Sequence, residues 1–83
     1  MLVIGCGPVG LLAVAVAKAL GAQQVTAVDI VDEKLELAKI LGADSVINSA
    51  KVNLAKEVQK ITNGAGFDRI CEASGKLTFA LNF

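Results

Sequence analysis

Eighty-three residues suffice for one small domain, and a chain of that length buries only about 60% of the surface it exposes when unfolded. Eight basic side chains balance eight acidic ones with no run of either sign, which excludes the basic field that would hold nucleic acid or an anionic membrane surface. Apolar residues make up 54% of the chain; so small a body cannot cover them all, and the composition predicts exposed apolar surface and a chain that is part of a larger protein.

Met1 to Ile4 is a short apolar run that stops at glycine, the pattern of a strand buried on both faces of a parallel sheet. Residues 1 to 17 carry no charge, but Gly5-Cys6-Gly7-Pro8 interrupts the run and Lys18 ends it. Neither a signal peptide nor a span of about 20 apolar residues fits, so no membrane partner is expected. Val9 to Leu20 is apolar or small on every side except at Lys18, which predicts a buried helix stopped by Gly21. Gln24 to Val28 contains the β-branched residues Val25, Thr26 and Val28 and predicts a second strand terminating at Asp29.

Asp32 and Glu33 place negative charge in the first turn of a second helix. Leu35, Ala38 and Leu41 recur at spacings of three along it, and Gly42 suits its C-terminal cap. Ser45 to Asn48 predicts a third strand, and Leu54, Val58 and Ile61 mark one face of a third helix closed by Asn63-Gly64. Gly64-Ala65-Gly66 reads as a hinge-like turn, Phe67 to Glu72 as a fourth strand with Ile70 and Cys71 inward, and Lys76 to Phe83 as a helix cut off after two turns. Strands alternating with helices predict right-handed crossovers and an α/β fold, with a parallel sheet ordered 3-2-1-4 and flanking helices.

Gly5, Gly7 and Gly10 fill a GxGxxG pattern at the junction of strand one and helix one. Gly5 permits the tight turn, Gly7 lets backbone approach a pyrophosphate, and Gly10 lets the helix pack closely on the sheet. The helix then aims its unpaired N–H groups and positive dipole end at the phosphates. Asp29 lies about 20 residues further on, at the end of strand two, the spacing expected of a carboxylate that accepts ribose hydroxyls. Its charge would repel a 2′-phosphate, so NAD is favoured over NADP. The alternative for Asp29 is a solvated loop acid or a cap for the next helix. Together these features predict part of a Rossmann domain that holds NAD or an adenine nucleotide. A methyltransferase that binds S-adenosylmethionine is a competing reading, since it also has a glycine loop after strand one. Its loop usually wants glycine where this chain has Val9, and an acid where it has Val3-Ile4.

Four stretches resemble the cofactor domain of the medium-chain, zinc-dependent alcohol and polyol dehydrogenases. They are the loop from Leu2 to Leu12, Val25-Thr26-Ala27-Val28-Asp29, the run from Leu35 to Asp44, and Phe67 to Gly75. Ala38-Lys39-Ile40-Leu41-Gly42-Ala43-Asp44 is the most specific, because dinucleotide binding in general does not require it. Within the family the chain looks closest to the sorbitol, galactitol-phosphate and threonine dehydrogenase branch. The resemblance implies that backbone at Pro8 and Val9 meets the pyrophosphate, that Asp29 and Lys34 approach the adenosine ribose, and that Ile30 borders the adenine. It places Ala73 and Ser74 in the cofactor cleft; an exposed helix lysine and simple turn packing are the alternatives for Lys34 and for this pair.

Glu72 reads as a structural acid ending a buried strand, and Cys6 as a packing residue. The family's reaction is hydride transfer from an alcohol to NAD, with a zinc ion polarising the alcohol oxygen. The chain has no histidine, and Cys6 and Cys71 lack metal-type spacing, so residues 1–83 are expected to hold no catalytic and no metal-binding residue. They would form a partial NAD-binding domain, with the zinc-binding catalytic domain and the last strands lying elsewhere. A cytoplasmic, homo-oligomeric parent enzyme is expected. A stand-alone nucleotide-binding module and a truncated remnant that binds nothing are the other two readings.

Overall fold

The computed structural model describes residues 1–73. In chain order these form β1 (Leu2–Ile4), α1 (Pro8–Ala19), β2 (Thr26–Asp29), α2 (Asp32–Ile40), β3 (Ser45–Asn48), α3 (Leu54–Thr62) and β4 (Ile70–Glu72). All four strands are parallel and lie in the order β3-β2-β1-β4. The helix expected over 76–83 lies outside the described residues.

Side-chain alternation along each strand divides the core in two. Val3, Val25 and Ala27 face α1 and α2, where they pack with Cys6, Val14, Leu35 and Ala38. Leu2, Val28 and Ile47 face α3 and pack with Val58. The chain travels β1 to β2 to β3 in one direction and then crosses back to β4 on the far side of β1. A right-handed crossover in the reverse direction must lie on the opposite face of the sheet, which is why α3 stands apart from α1 and α2.

Three expectations need correction. Helix α1 is not buried all round: Val9 is 68%, Leu12 64% and Leu20 83% exposed, and Val16 is exposed with them. The β2 ladder begins at Thr26 instead of Gln24 and includes Asp29 as its last residue. Strand β4 is only three residues long, and Ile70 and Cys71 do not both point inward: they are half-buried on opposite faces, one against each core cluster. Phe67 joins the α3-side cluster from the preceding loop.

The ends of the helices follow local chemistry. Asn53 caps α3, its side-chain oxygen accepting the Lys56 N–H at 3.0 Å, and Asn63 closes it in the left-handed region with φ 53°. Gly42, after α2, has φ +120°, and a β-carbon there would lie 2.9 Å from Cγ of Lys18. That close approach lets the Lys18 ammonium reach the Asp44 carboxylate at 3.1 Å, while the same Asp44 oxygen accepts the N–H of fully buried Val25 at 2.7 Å. The stretch from Ala38 to Asp44 thus ties the end of α1 to the entry of β2.

Candidate site at the carboxyl edge of the sheet

The glycine loop leaves β1 at Gly5, whose φ of 97° is open to glycine and strained for other residues. The Gly5 N–H donates to the carbonyl of Val28 at 2.8 Å, which holds the turn against the end of β2. The Gly5 carbonyl lies under α1: a β-carbon on Gly10 would sit 1.7 Å from its oxygen and 3.5 Å from Cβ of Ala73. Gly10 therefore serves the packing of helix on strand. Gly7 is different. It occupies the N-cap of α1 at φ −73° and ψ −171°, and a β-carbon there would meet nothing within 4 Å. The space above Gly7 is open to a ligand that approaches the backbone.

Pro8 opens α1, where its missing N–H costs nothing, and the first intrahelical bond runs from the Leu11 N–H to the Gly7 carbonyl at 2.9 Å. The N–H groups of Val9 and Gly10 precede that bond and are left for an anion at the positive end of the helix dipole. Pro8 itself can offer only contact, not a donor.

Asp29 ends β2 beside the loop. Its Oδ1 accepts the N–H groups of Ile30 at 2.7 Å and Val31 at 3.1 Å, and its Oδ2 accepts the N–H of Cys6 at 2.7 Å. Partial burial pushes the carboxyl pKa up, but these three donors and the Lys34 ammonium outweigh it and hold the group below the usual aspartate value. The helix-cap alternative is not realised: Val31 stands at the N-cap of α2 with no side-chain cap bond, and the two local donors lie in the turn before the helix. A carboxylate has about four lone-pair sites, so one on Oδ2 remains for an incoming hydroxyl.

Cys6 is buried, and its Sγ lies 3.6 Å from the Val28 carbonyl as a weak donor. Burial, then the like charge of Asp29, pushes its thiol pKa up to about 11 against the opposing pull of Lys34. A thiol held protonated is a poor nucleophile and a poor metal ligand, which suits a packing role.

Ile30 and Lys34 are both exposed beyond Asp29. Asn48, expected only as the end of β3, organises this side. Its Nδ2 donates to the Ile30 carbonyl at 3.3 Å and to Asp32 at 2.8 Å, and its Oδ1 accepts the Ala50 N–H at 2.9 Å. Lys51 completes the group with a 2.6 Å ion pair to Asp32. The only sequence signal was a polar residue ending a short apolar strand. On the other side of the loop, the Ala73 N–H donates to the Ile4 carbonyl at 2.7 Å, placing Ala73 beside Gly10 where the strand order reverses. Ser74 lies outside the described residues.

The fold thus brings Gly5, Gly7, Pro8, Val9, Gly10, Asp29, Ile30, Lys34 and Ala73 to one edge. That edge offers an anion cradle of backbone N–H groups beside a carboxylate with a free acceptor site. A second groove, of about 1090 Å³, opens at the opposite end of the strands between Met1, Leu20, Phe67 and Arg69. It has neither the glycine loop nor a helix N-terminus. Among the described residues no cluster of His, Cys, Asp or Glu could hold a metal ion, and no helix is long and apolar enough to cross a membrane.

Comparison with known proteins decides the family: residues 8–83 match the model of the zinc-binding dehydrogenases. The chain belongs to the zinc-binding dehydrogenase family. L-threonine 3-dehydrogenase from Bacillus licheniformis is 51% identical over 76 residues, which are 92% of this chain and 22% of that protein. Among solved structures, alcohol dehydrogenase from Thermus sp. ATN1 superposes with a TM-score of 0.81 at 46% identity, over 87% of this chain and 21% of its own. Galactitol-1-phosphate dehydrogenase from Escherichia coli superposes with a TM-score of 0.79 at 44% identity, over 89% and 21%. This zinc-binding dehydrogenase chain therefore spans about a fifth of the length of the relatives it matches. The medium-chain dehydrogenase resemblance and the parallel 3-2-1-4 sheet both hold.

Proposed function

We propose that these 83 residues hold the adenosine and pyrophosphate of NAD for a zinc-type alcohol or polyol dehydrogenase. The observation that carries this reading is the open space above Gly7, framed by the free N–H groups of Val9 and Gly10 and by Asp29. The N–H groups bind pyrophosphate oxygens, and Oδ2 of Asp29 accepts a ribose hydroxyl on its remaining lone pair. Ile30 gives the adenine an apolar border, Lys34 approaches the ribose from α2, and Ala73 lines the cleft toward the nicotinamide. Bound NAD supplies the acceptor for a hydride leaving an alcohol carbon. The residues present fit the nucleotide and do not fit zinc, so ionisation of the alcohol is assigned to the part of the enzyme outside residues 1–83.

Asp29 is held ionised, so a 2′-phosphate placed against it meets a fixed negative charge. Calorimetric titration with AMP, NAD and NADP tests the reading. NAD is expected to bind at least about tenfold more tightly than NADP, a difference of about 1.4 kcal/mol. NADP binding as tightly as NAD would remove the role given to Asp29, and heat from neither nucleotide would remove the site.

A further inference from the structure

We infer that Asp29 is a positioning residue for the pyrophosphate loop, beyond its place as a ribose acceptor. Resting on the nucleotide reading above, this assigns a second role to the same carboxylate. The loop has no side-chain cap of its own, since Gly7 stands at the N-cap of α1 and Pro8 follows it. Its shape is instead imposed from β2. The Gly5 N–H and the Cys6 thiol both reach the Val28 carbonyl, and the Cys6 N–H reaches Oδ2 of Asp29 across 23 residues of sequence at 2.7 Å. The last of these orients the Gly5–Cys6 peptide, one residue before Gly7, and so sets the opening through which a pyrophosphate meets backbone.

The two carboxylate oxygens divide the work. Oδ1 takes the local donors at Ile30 and Val31, and Oδ2 takes Cys6. A ribose hydroxyl must share Oδ2 with the loop, so ribose recognition and loop geometry meet on one atom. Replacing Asp29 with a neutral residue to admit NADP would therefore also release the loop.

Asp29→Asn separates the two roles. The asparagine oxygen is expected to stay with the Ile30 and Val31 donors, which turns its NH2 toward the Cys6 N–H, where two donors face each other. ADP and 2′,3′-dideoxy-ADP are then titrated against both proteins. The dideoxy ligand has no ribose hydroxyl to lose, so a pure ribose acceptor would leave its affinity unchanged. The clamp predicts that Asp29→Asn weakens the dideoxy ligand about tenfold, and ADP by more. Loss confined to ADP overturns the clamp and leaves the nucleotide reading standing. If neither ligand binds the unmodified chain, the nucleotide reading falls and the clamp with it; if the variant does not fold, a variant-free measurement decides. It is the magnetic-resonance scalar coupling carried through the hydrogen bond from the Cys6 amide nitrogen to the Asp29 carboxyl carbon. Its presence supports the clamp, and its absence overturns it.

Discussion

Gly7 and Gly10 stand three positions apart in one loop and should respond oppositely to alanine. At Gly10 the new β-carbon would collide with the Gly5 carbonyl, backbone against backbone with nothing flexible to yield. Gly10→Ala should cost about 3 kcal/mol or more, read as a lowered urea midpoint. At Gly7 the backbone angles suit alanine and the β-carbon meets no neighbour. Gly7→Ala should leave the midpoint nearly unchanged and weaken NAD about tenfold or more, because the methyl enters the space assigned to the pyrophosphate. Asp44 shows a different dependence. The Val25 N–H, above all, holds its pKa down; burial opposes this, and the Lys18 ammonium adds to it. A carboxyl depressed on folding stabilises the protein above its unfolded value, about 3.9, and that contribution is lost as pH falls through the folded value. Thermal melts should therefore lose stability below about pH 4, and Asp44→Asn should flatten that acid limb. Asp44→Ala should cost about 1–3 kcal/mol at neutral pH by leaving the buried Val25 N–H without an acceptor. The turn at Gly5 and the close packing at Gly10 were legible from spacing alone. The bonds from Asp29 to Cys6 and from Asp44 to Val25 were not, because their partners lie 23 and 19 residues apart and pattern within a window cannot see them.

Helix α1 joins local pattern to surface chemistry. Its uniform apolarity reads as burial on all sides, yet Val9, Leu12, Val16 and Leu20 recur at helical spacing along a face that the described residues do not cover. Such a face favours association of the isolated chain. Replacing Leu12 with Gln and Val16 with Lys should reduce concentration-dependent self-association in sedimentation velocity and change stability by less than about 1 kcal/mol, since both side chains are exposed. Equal association by the double variant would locate the sticky surface elsewhere. The other helices were easier to read. Leu35 and Ala38 are buried as their spacing predicts while Leu41, past the end of α2, is exposed, and Asn63-Gly64 closes α3 in left-handed conformations that few other residue pairs adopt comfortably. Strand β4 was over-read because Phe67 is apolar, but Phe67 reaches the core from a loop and the ladder starts only at Ile70.

For the whole molecule, the proposed preference for NAD rests on the arrangement of three elements: the loop after β1, the acid closing β2, and Ala73 after β4. Parallel strands place all three carboxyl ends on one edge, and the reversal of direction at β1 opens the cleft between them. Alternating strands and helices of these lengths, joined by right-handed crossovers, leave few other sheets to build, so the order β3-β2-β1-β4 was within reach of the sequence. So were the turn at the glycine loop, the place of Asp29 beside it and the family, because each rests on residue type at a short fixed spacing. Tertiary structure alone decided that Asp29 spends three of its acceptor sites on backbone and keeps one, that Asn48 ties Ile30 to Asp32, and that α1 stays half exposed. Those outcomes depend on which atoms meet across the sheet and on how much surface 83 residues can cover, quantities that no local window of sequence contains.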